Sequence, residues 1–375
     1  MMTPTRLDTA PYADRLSAAY AIYVAGVSAG DHAVSLETAA MIWWYCDHTQ
    51  AASVCDLGSG FSSHVLRAYA ASADHRVQVV SVDTDADWLD KTIGFMRECD
   101  EPGAFILLDD WLASDAQFDL IFHDIANGEQ REALMATAAA RLNPGGVLIL
   151  DDAQNASHHA EMVRLTDELG WALLDTKQTT LDFIERFALV TTSAASARLA
   201  TDYQRVSATP SDINEHLPTF LRMVLDLDAK HVIELGTRTG VSTIAWLYAL
   251  ERTGGRLTSV DIDAKPPIGD YDHWTFIQGD DLDPAVYAQL EPADIVFIDT
   301  SHHYRHTCQE LALYKWLVRP GGVIVLHDTE LPIPEGAPPR DPLFPVKRAV
   351  EEFCEVERRA WSNRTNNNGL GVIQL

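Results

Sequence analysis

The stretch HVIELGTRTGVSTIAWL, residues 231–247, decides the fold. Val232, Ile233 and Leu235 form a short apolar run rich in β-branched residues, the pattern of a parallel strand covered on both faces. Glu234 lies near the end of that run. Gly236 and Gly240 bracket a tight turn where backbone can come close to a ligand. Ser242 reads as the N-cap of a helix carrying Ile244, Leu247 and Tyr248. Strand, glycine turn and helix N-terminus, in that order, build a nucleotide-type site in doubly wound α/β folds.

The same design occurs earlier, as VCDLGSGFSSHVL at 54–66, where Asp56, Leu57 and Gly58 match Glu234, Leu235 and Gly236 at a shift of 178 residues. Further pairs follow in one order. SVDTDAD at 81–87 matches SVDIDAK at 259–265, and FILLDD at 105–110 matches FIQGDD at 276–281. FDLIFHD at 118–124 matches ADIVFID at 293–299, and LNPGGVLILDD at 142–152 matches VRPGGVIVLHD at 318–328. Shifts confined to 171–178 residues point to duplication of a whole domain. The expected architecture is α/β, with two tandem Rossmann-like doubly wound sheets. One domain is expected over 1–195 and the other over 205–375. The small and polar residues of 192–210 read as the linker between them.

A chain of 375 residues fits two domains, and a hydrophobic share of 47% supplies their cores. The formal charge of -27 argues against nucleic acid or an anionic membrane as partner, since both need a basic face. Five cysteines match neither a zinc spacing nor a disulfide framework, and read as free thiols in a reducing compartment. The first residues lack an apolar signal core, and no uncharged apolar run is long enough to span a bilayer. The expectation is a cytoplasmic protein acting on a small molecule, with homo-oligomerisation left open.

Helices are expected over 1–30 and 35–48, with a counterpart of the second at 211–227. Glu37 and Glu215 match across that pair. Each either reaches its glycine loop or stays a surface carboxylate. The insertion ELPIPEGAPPRDPLFP at 330–345 is too proline-rich for helix or interior strand, and reads as a lid or a plain connector.

An acid after the second strand, here Asp83 or Asp261, is where such folds hold ribose hydroxyls. The loops are poor dinucleotide fingerprints. Gly236 and Gly240 are spaced G-x-x-x-G, and Ser63 stands where the earlier loop needs its third glycine.

With the acidic strand ends, both glycine loops and both P-G-G turns in order, the chain resembles the class I S-adenosylmethionine (SAM) dependent methyltransferases, once per half. IDTSHHY at 298–304, PGGVIVLHDT at 320–329 and VKRAVEEF at 346–353 make the second half similar to macrocin O-methyltransferase and the cephalosporin-hydroxylase group. The resemblance implies that Glu234, Gly236, Thr237, Gly240 and Ser242 cradle the methionine part of SAM. It implies Asp261 at the ribose, and Asp280 and Asp281 at the adenine. The matching positions in the first half are Asp56, Gly58, Ser59, Gly60, Asp83, Asp109 and Asp110. The family often binds a divalent metal, magnesium for example. The implied ligands are Asp299, His327 and Asp328, and Asp124, Asp151 and Asp152 in the first half. His327 departs from the family's acidic pair, and imidazole shifts preference away from magnesium toward transition metals. The alternative is that these carboxylates bond to loop backbone.

Methyl transfer to oxygen needs a base for the hydroxyl proton, and histidine suits neutral pH. His302 and His303 follow Asp299 closely and are the candidate bases, with capping of the next helix as the alternative. His123 reads as core, while His158 and His159 read as exposed. The expected reaction is O-methylation of a small hydroxylated metabolite or sugar, with the second half the working copy. The rivals are an NAD-dependent oxidoreductase and a non-catalytic SAM-binding regulatory or assembly protein.

Overall fold

The computed structural model describes residues 7–99, 103–126, 128–331 and 346–375. The chain divides into two compact units, Met1–Ala197 and Arg198–Leu375.

In the first unit the apolar runs become β1 (Ser53–Leu57), β2 (Gln78–Asp83), β3 (Ala104–Leu107), β4 (Phe118–His123) and β5 (Leu142–Leu150), followed by β6 (Trp171–Asp175) and β7 (Leu189–Ser193). They form one sheet in the order β3-β2-β1-β4-β5-β7-β6. β1 to β5 pair in parallel, and β7 runs antiparallel to β5 and β6. Both faces are covered. Val54, Leu120, Phe122 and Ile149 pack on one side, and Cys55, Leu57, Ile121 and Leu148 on the other. That two-sided burial explains why the strands read as continuous apolar runs.

The second unit repeats the plan with β8 (His231–Leu235), β9 (Arg256–Asp261), β10 (Trp274–Gln278), β11 (Ala293–Ile298), β12 (Val318–His327), β13 (Trp361–Arg364) and β14 (Leu370–Gln374). The order is β10-β9-β8-β11-β12-β14-β13, the same permutation. In each sheet the order reverses direction beside the first strand of the unit, the switch point where such folds bind ligands beyond the strand C-termini. The duplication read from the sequence is thus a duplication of topology. Both units have the class I methyltransferase fold that the motifs implied.

Three local readings need correction. Residues 194–208, expected as linker, form a helix (Ala194–Ala208). Its polar composition hides an apolar face at Leu199, Tyr203 and Val206 that packs into the second core. Ser242 is not the N-cap of the helix Val241–Thr253. Gly240 is, at φ +83°, a conformation that disfavours any side chain. The third concerns alignment. The matching helix of the first unit is Phe61–Ser72, with Gly60 as its cap. Gly60 therefore matches Gly240, and the second loop is two residues longer. The expected lid at 330–345 lies almost wholly outside the described residues, since 332–345 are not described.

Among the described residues, no helix is long and apolar enough to cross a membrane. The five cysteines are free, with Cys46, Cys55 and Cys354 buried.

Candidate active site

Each unit builds its glycine loop on the same plan. Gly236 has φ +86°, and a Cβ on it would stand 2.0 Å from the Asp299 carbonyl oxygen. Gly58 has φ +106°, and its Cβ would stand 2.5 Å from the Asp124 carbonyl oxygen. Only glycine lets the loop lie this close to the strand carrying the site's aspartate.

The acid after the second strand holds the loop. Asp261 Oδ2 accepts from Thr237 N at 2.6 Å, Thr237 Oγ1 at 2.9 Å and Arg238 N at 3.1 Å, and its Oδ1 accepts from Asp263 N at 2.9 Å. Burial pushes its carboxyl up, but these backbone bonds outweigh it and hold it below the usual carboxylate range. In the first unit Asp83 Oδ2 accepts from Ser59 N at 2.9 Å and Ser59 Oγ at 2.8 Å, and Oδ1 from Asp85 N at 3.1 Å.

The strand-one acid lies beneath the loop. Glu234 is fully buried and accepts from Ser242 Oγ at 2.6 Å, Thr243 Oγ1 at 2.9 Å and Ser259 Oγ at 2.6 Å. Burial raises its carboxyl to about 7 despite the three hydroxyls. Asp56 in the first unit accepts from Ser62 Oγ and Ser63 Oγ, at 3.1 and 2.6 Å. The hydroxyl pairs Ser62–Ser63 and Ser242–Thr243 correspond; the sequence marked Ser63 only as a missing glycine, and Thr243 and Ser259 not at all.

A cavity of about 540 Å³ opens at the C-terminal edge of the second sheet. Gly236, Asp261, Asp280, Asp281, Asp299, His302 and Asp328 line it. Glu234, Thr237, Gly240 and Ser242, also expected around a ligand, lie behind this wall and support the loop. His303 is off the wall too, serving as the N-cap residue of the helix Tyr304–Tyr314.

Opposite the loop stands a cluster of charge. His302 Nε2 lies 3.2 Å from Asp299 Oδ1 and 2.8 Å from Asp328 Oδ2. His327 Nδ1 faces the same two oxygens, each at 3.4 Å. Its Nε2 is held by the carbonyls of Asp212 and Asn367, at 3.0 and 3.1 Å, so Nε2 donates. Burial depresses both imidazoles, but Asp299 and Asp328 prevail and raise His302 to about 9 and His327 to about 10. The two imidazoles in turn hold Asp328 far below the usual range. His302 and Asp328 both adopt left-handed backbone, at φ +57° and +59°. Two such residues facing each other are backbone strain concentrated at one site.

The donor set suits a cation. Ligand atoms of Asp299, His302 and Asp328 lie within 4.8 Å of one another. Asp328 Oδ1 and His327 Nδ1 are buried with no hydrogen-bond partner among the described residues. An imidazole whose far nitrogen donates to a carbonyl is oriented as metal-binding histidines are. Mixed nitrogen and oxygen donors favour a transition metal over magnesium.

The first unit differs at this point. The buried guanidinium of Arg131 pairs with Asp124 and, at 2.6 Å, with Asp152. A fixed positive charge thus sits where the expected ligands Asp124, Asp151 and Asp152 would need a metal. Asp151 is buried apart from that pair, and burial, with the Asp152 charge, raises it to about 7. Asp109 and Asp110 are exposed in the first turn of the helix Leu108–Ala113. The Trp88 indole donates to the Ser59 carbonyl at 2.7 Å, covering that loop. His123 is core as expected, bonded to the Arg131 carbonyl at 2.9 Å. His158, expected to be exposed, is buried, and only His159 is partly open. Glu37 is exposed, and Glu215 accepts from Asn366 Nδ2 at 2.7 Å.

Residues 233–329, which include most of the cavity wall, match the family described as methyltransferase domain. That match lies wholly within the second unit. Solved structures similar to the chain include three methyltransferases. One is the Podospora anserina methyltransferase PaMTH1 bound to SAH, 15% identical over 47% of this chain and 86% of its own, with a TM-score of 0.35. Another is an O-methyltransferase from Bacillus cereus in complex with SAH, 20% identical over 48% and 90%, at 0.35. The third is the O-methyltransferase TomG from Streptomyces achromogenes in complex with SAM, 18% identical over 49% and 90%, at 0.36. No curated protein matches the sequence. The matched residues therefore fall in the unit whose loop, strand-end acids and histidine cluster meet at one cavity.

Proposed function

We propose that the second unit binds SAM in this cavity and transfers its methyl group to an oxygen of a small hydroxylated acceptor. The observation that carries the reading is the cavity itself. It joins a glycine loop and Asp261 on one wall to a histidine held by two carboxylates on the other.

In this reading the loop takes the amino-acid end of SAM and Asp261 its ribose, with Asp280 and Asp281 nearby. His302 faces the cavity and is the base. Its Nε2 takes the acceptor's proton as the oxygen attacks the sulfonium methyl carbon and the carbon–sulfur bond breaks, leaving S-adenosylhomocysteine. Asp299 and Asp328 fix the ring and stabilise the imidazolium that forms. Orientation of the two reactants supplies much of the rate. Asp299, Asp328 and His327 would hold a divalent cation, which, when bound, would act as a Lewis acid toward the acceptor oxygen. The first unit serves as a scaffold copy that binds SAM weakly or not at all.

Calorimetric titration of the full chain with SAM, and separately with NAD, tests the reading. One tight SAM site abolished by Asp261→Ala supports it. Binding of NAD without SAM overturns it in favour of the oxidoreductase, and SAM binding without turnover on any hydroxylated acceptor favours the regulatory reading.

A further inference from the structure

The second unit gathers another set of titratable groups, of which the proposed methyl transfer draws on Asp281 alone. Asp281 follows β10, while His306 and Glu310 lie on the helix Tyr304–Tyr314. Spacing of i, i+4 puts these two on one helix face, and Asp281 meets that face. His306 Nε2 is 3.1 Å from Asp281 Oδ1 and 3.5 Å from Glu310 Oε1. Thr300 Oγ1 donates to Glu310 Oε1 at 2.6 Å, steadying that carboxylate.

Charge is the difficulty. Glu310 is 0% exposed and Asp281 8%. Glu310 Oε2 and Asp281 Oδ2 are buried without a hydrogen-bond partner among the described residues. Their ion-pair partner there is His306, which they share. Burial pushes the Glu310 carboxyl up, and with both carboxylates ionised even a protonated His306 leaves one net negative charge out of water. A divalent cation with neutral imidazole would bring it to zero. The ligand atoms of the three side chains already lie within 4.8 Å of one another.

We propose that Asp281, His306 and Glu310 form a binding site for a divalent transition-metal cation. One imidazole nitrogen and two carboxylate oxygens suit zinc, manganese or cobalt better than magnesium or calcium. Three protein ligands leave a coordination position open. Asp281 and His306 are on the cavity wall, so the open position faces the cavity. The site shares no residue with the His302 cluster and does not depend on the methyl-transfer reading.

The test uses the full-length chain, stripped by chelator and titrated calorimetrically with zinc chloride. Asp328→Asn disables the His302 cluster and gives the background. Adding Glu310→Gln to it should remove the remaining equivalent, and adding His306→Gln instead should do the same, with circular dichroism confirming that each protein is folded. Crystals of the wild type soaked in zinc chloride should show an anomalous peak among Asp281 Oδ1, His306 Nε2 and Glu310 Oε1, which needs no variant. Equal zinc uptake in all three folded proteins, or soaked crystals without that peak, overturns the proposal.

Discussion

Asp261→Ala tests the central bond of the glycine loop. The carboxylate accepts four hydrogen bonds, two of them from Thr237, which is 3% exposed. Arg238 and Asp263 are exposed, so their amides return to water at little cost. The loss therefore falls on Thr237, whose N–H and hydroxyl lose a charged acceptor. Hydrogen bonds to charged groups contribute about 1.5–3 kcal/mol each, and a hydroxyl can turn elsewhere, so loop opening should become easier by about 2–3 kcal/mol. A ligand that requires the closed loop loses up to that amount, reached where the variant's loop rests open, roughly thirtyfold to a hundredfold in affinity. Any bond from Asp261 to the ribose adds to that. Titration with SAM measures the affinity, and hydrogen exchange of the Thr237 amide measures the opening. Asp83→Ala is the internal control. It frees Ser59 in the first loop and should leave the tight SAM site unchanged. Wild-type affinity and wild-type Thr237 exchange in Asp261→Ala would refute the account of how this loop is held.

Replacing His302 by Ala should lower turnover by about 100-fold or more with SAM affinity kept, while His303→Ala should stay near wild type; steady-state kinetics decide, and full activity of His302→Ala removes it as base. Because Asp299 and Asp328 raise His302 to about 9 and a base must be neutral, turnover of the metal-free protein should rise about tenfold per pH unit up to that value. The same shift makes this cluster's contribution to stability fully present below about 6.5 and lost as pH rises through about 9, readable as a falling melting temperature. Gly236→Ala should cost more than about 1–3 kcal/mol in denaturant melts, since strained backbone is joined to a clash with the Asp299 carbonyl.

The fold was legible because buried strands and close backbone approach leave marks in composition. Apolar runs ending in an acid, then a glycine, twice in one order, specify both sheets. What sequence reasoning missed follows from physics that one-dimensional patterns hide. A serine before an apolar-periodic run looks like a cap, yet Ser242 sits inside the helix with its hydroxyl on Glu234. The signal was available in the hydroxyl pairs, Ser62–Ser63 and Ser242–Thr243, which align only when the second loop is allowed two more residues. Without that gap, Ser62 falls opposite Gly240 and suggests a blocked first loop, which the structure does not have. Among the site residues, those on the wall and those behind it were indistinguishable in sequence, because a carboxylate that supports a loop and one that meets a ligand occupy equivalent strand ends. Nothing in the sequence marks Arg131, which its helix buries against two aspartates.

That arginine bears on which copy does chemistry. Both units keep the loop glycine, the hydroxyl pair and the acid that holds the loop, so loop architecture does not separate them. They differ in how the strand-four and strand-five carboxylates are compensated. In the first unit a guanidinium, protonated at any accessible pH, lies between Asp124 and Asp152. It can neither accept a proton nor yield its place to a cation without leaving two partly buried carboxylates unpaired. In the second unit the same positions, Asp299 and Asp328, face two imidazoles. An imidazole, unlike a guanidinium, can shed its proton, His302 as pH nears about 9, or become a ligand once it has. Proton transfer through an imidazole thus has a route at one strand-end cluster, while a guanidinium takes that place at the other. The expectation that the second unit catalyses therefore rests on its histidines and not on the length of its glycine loop.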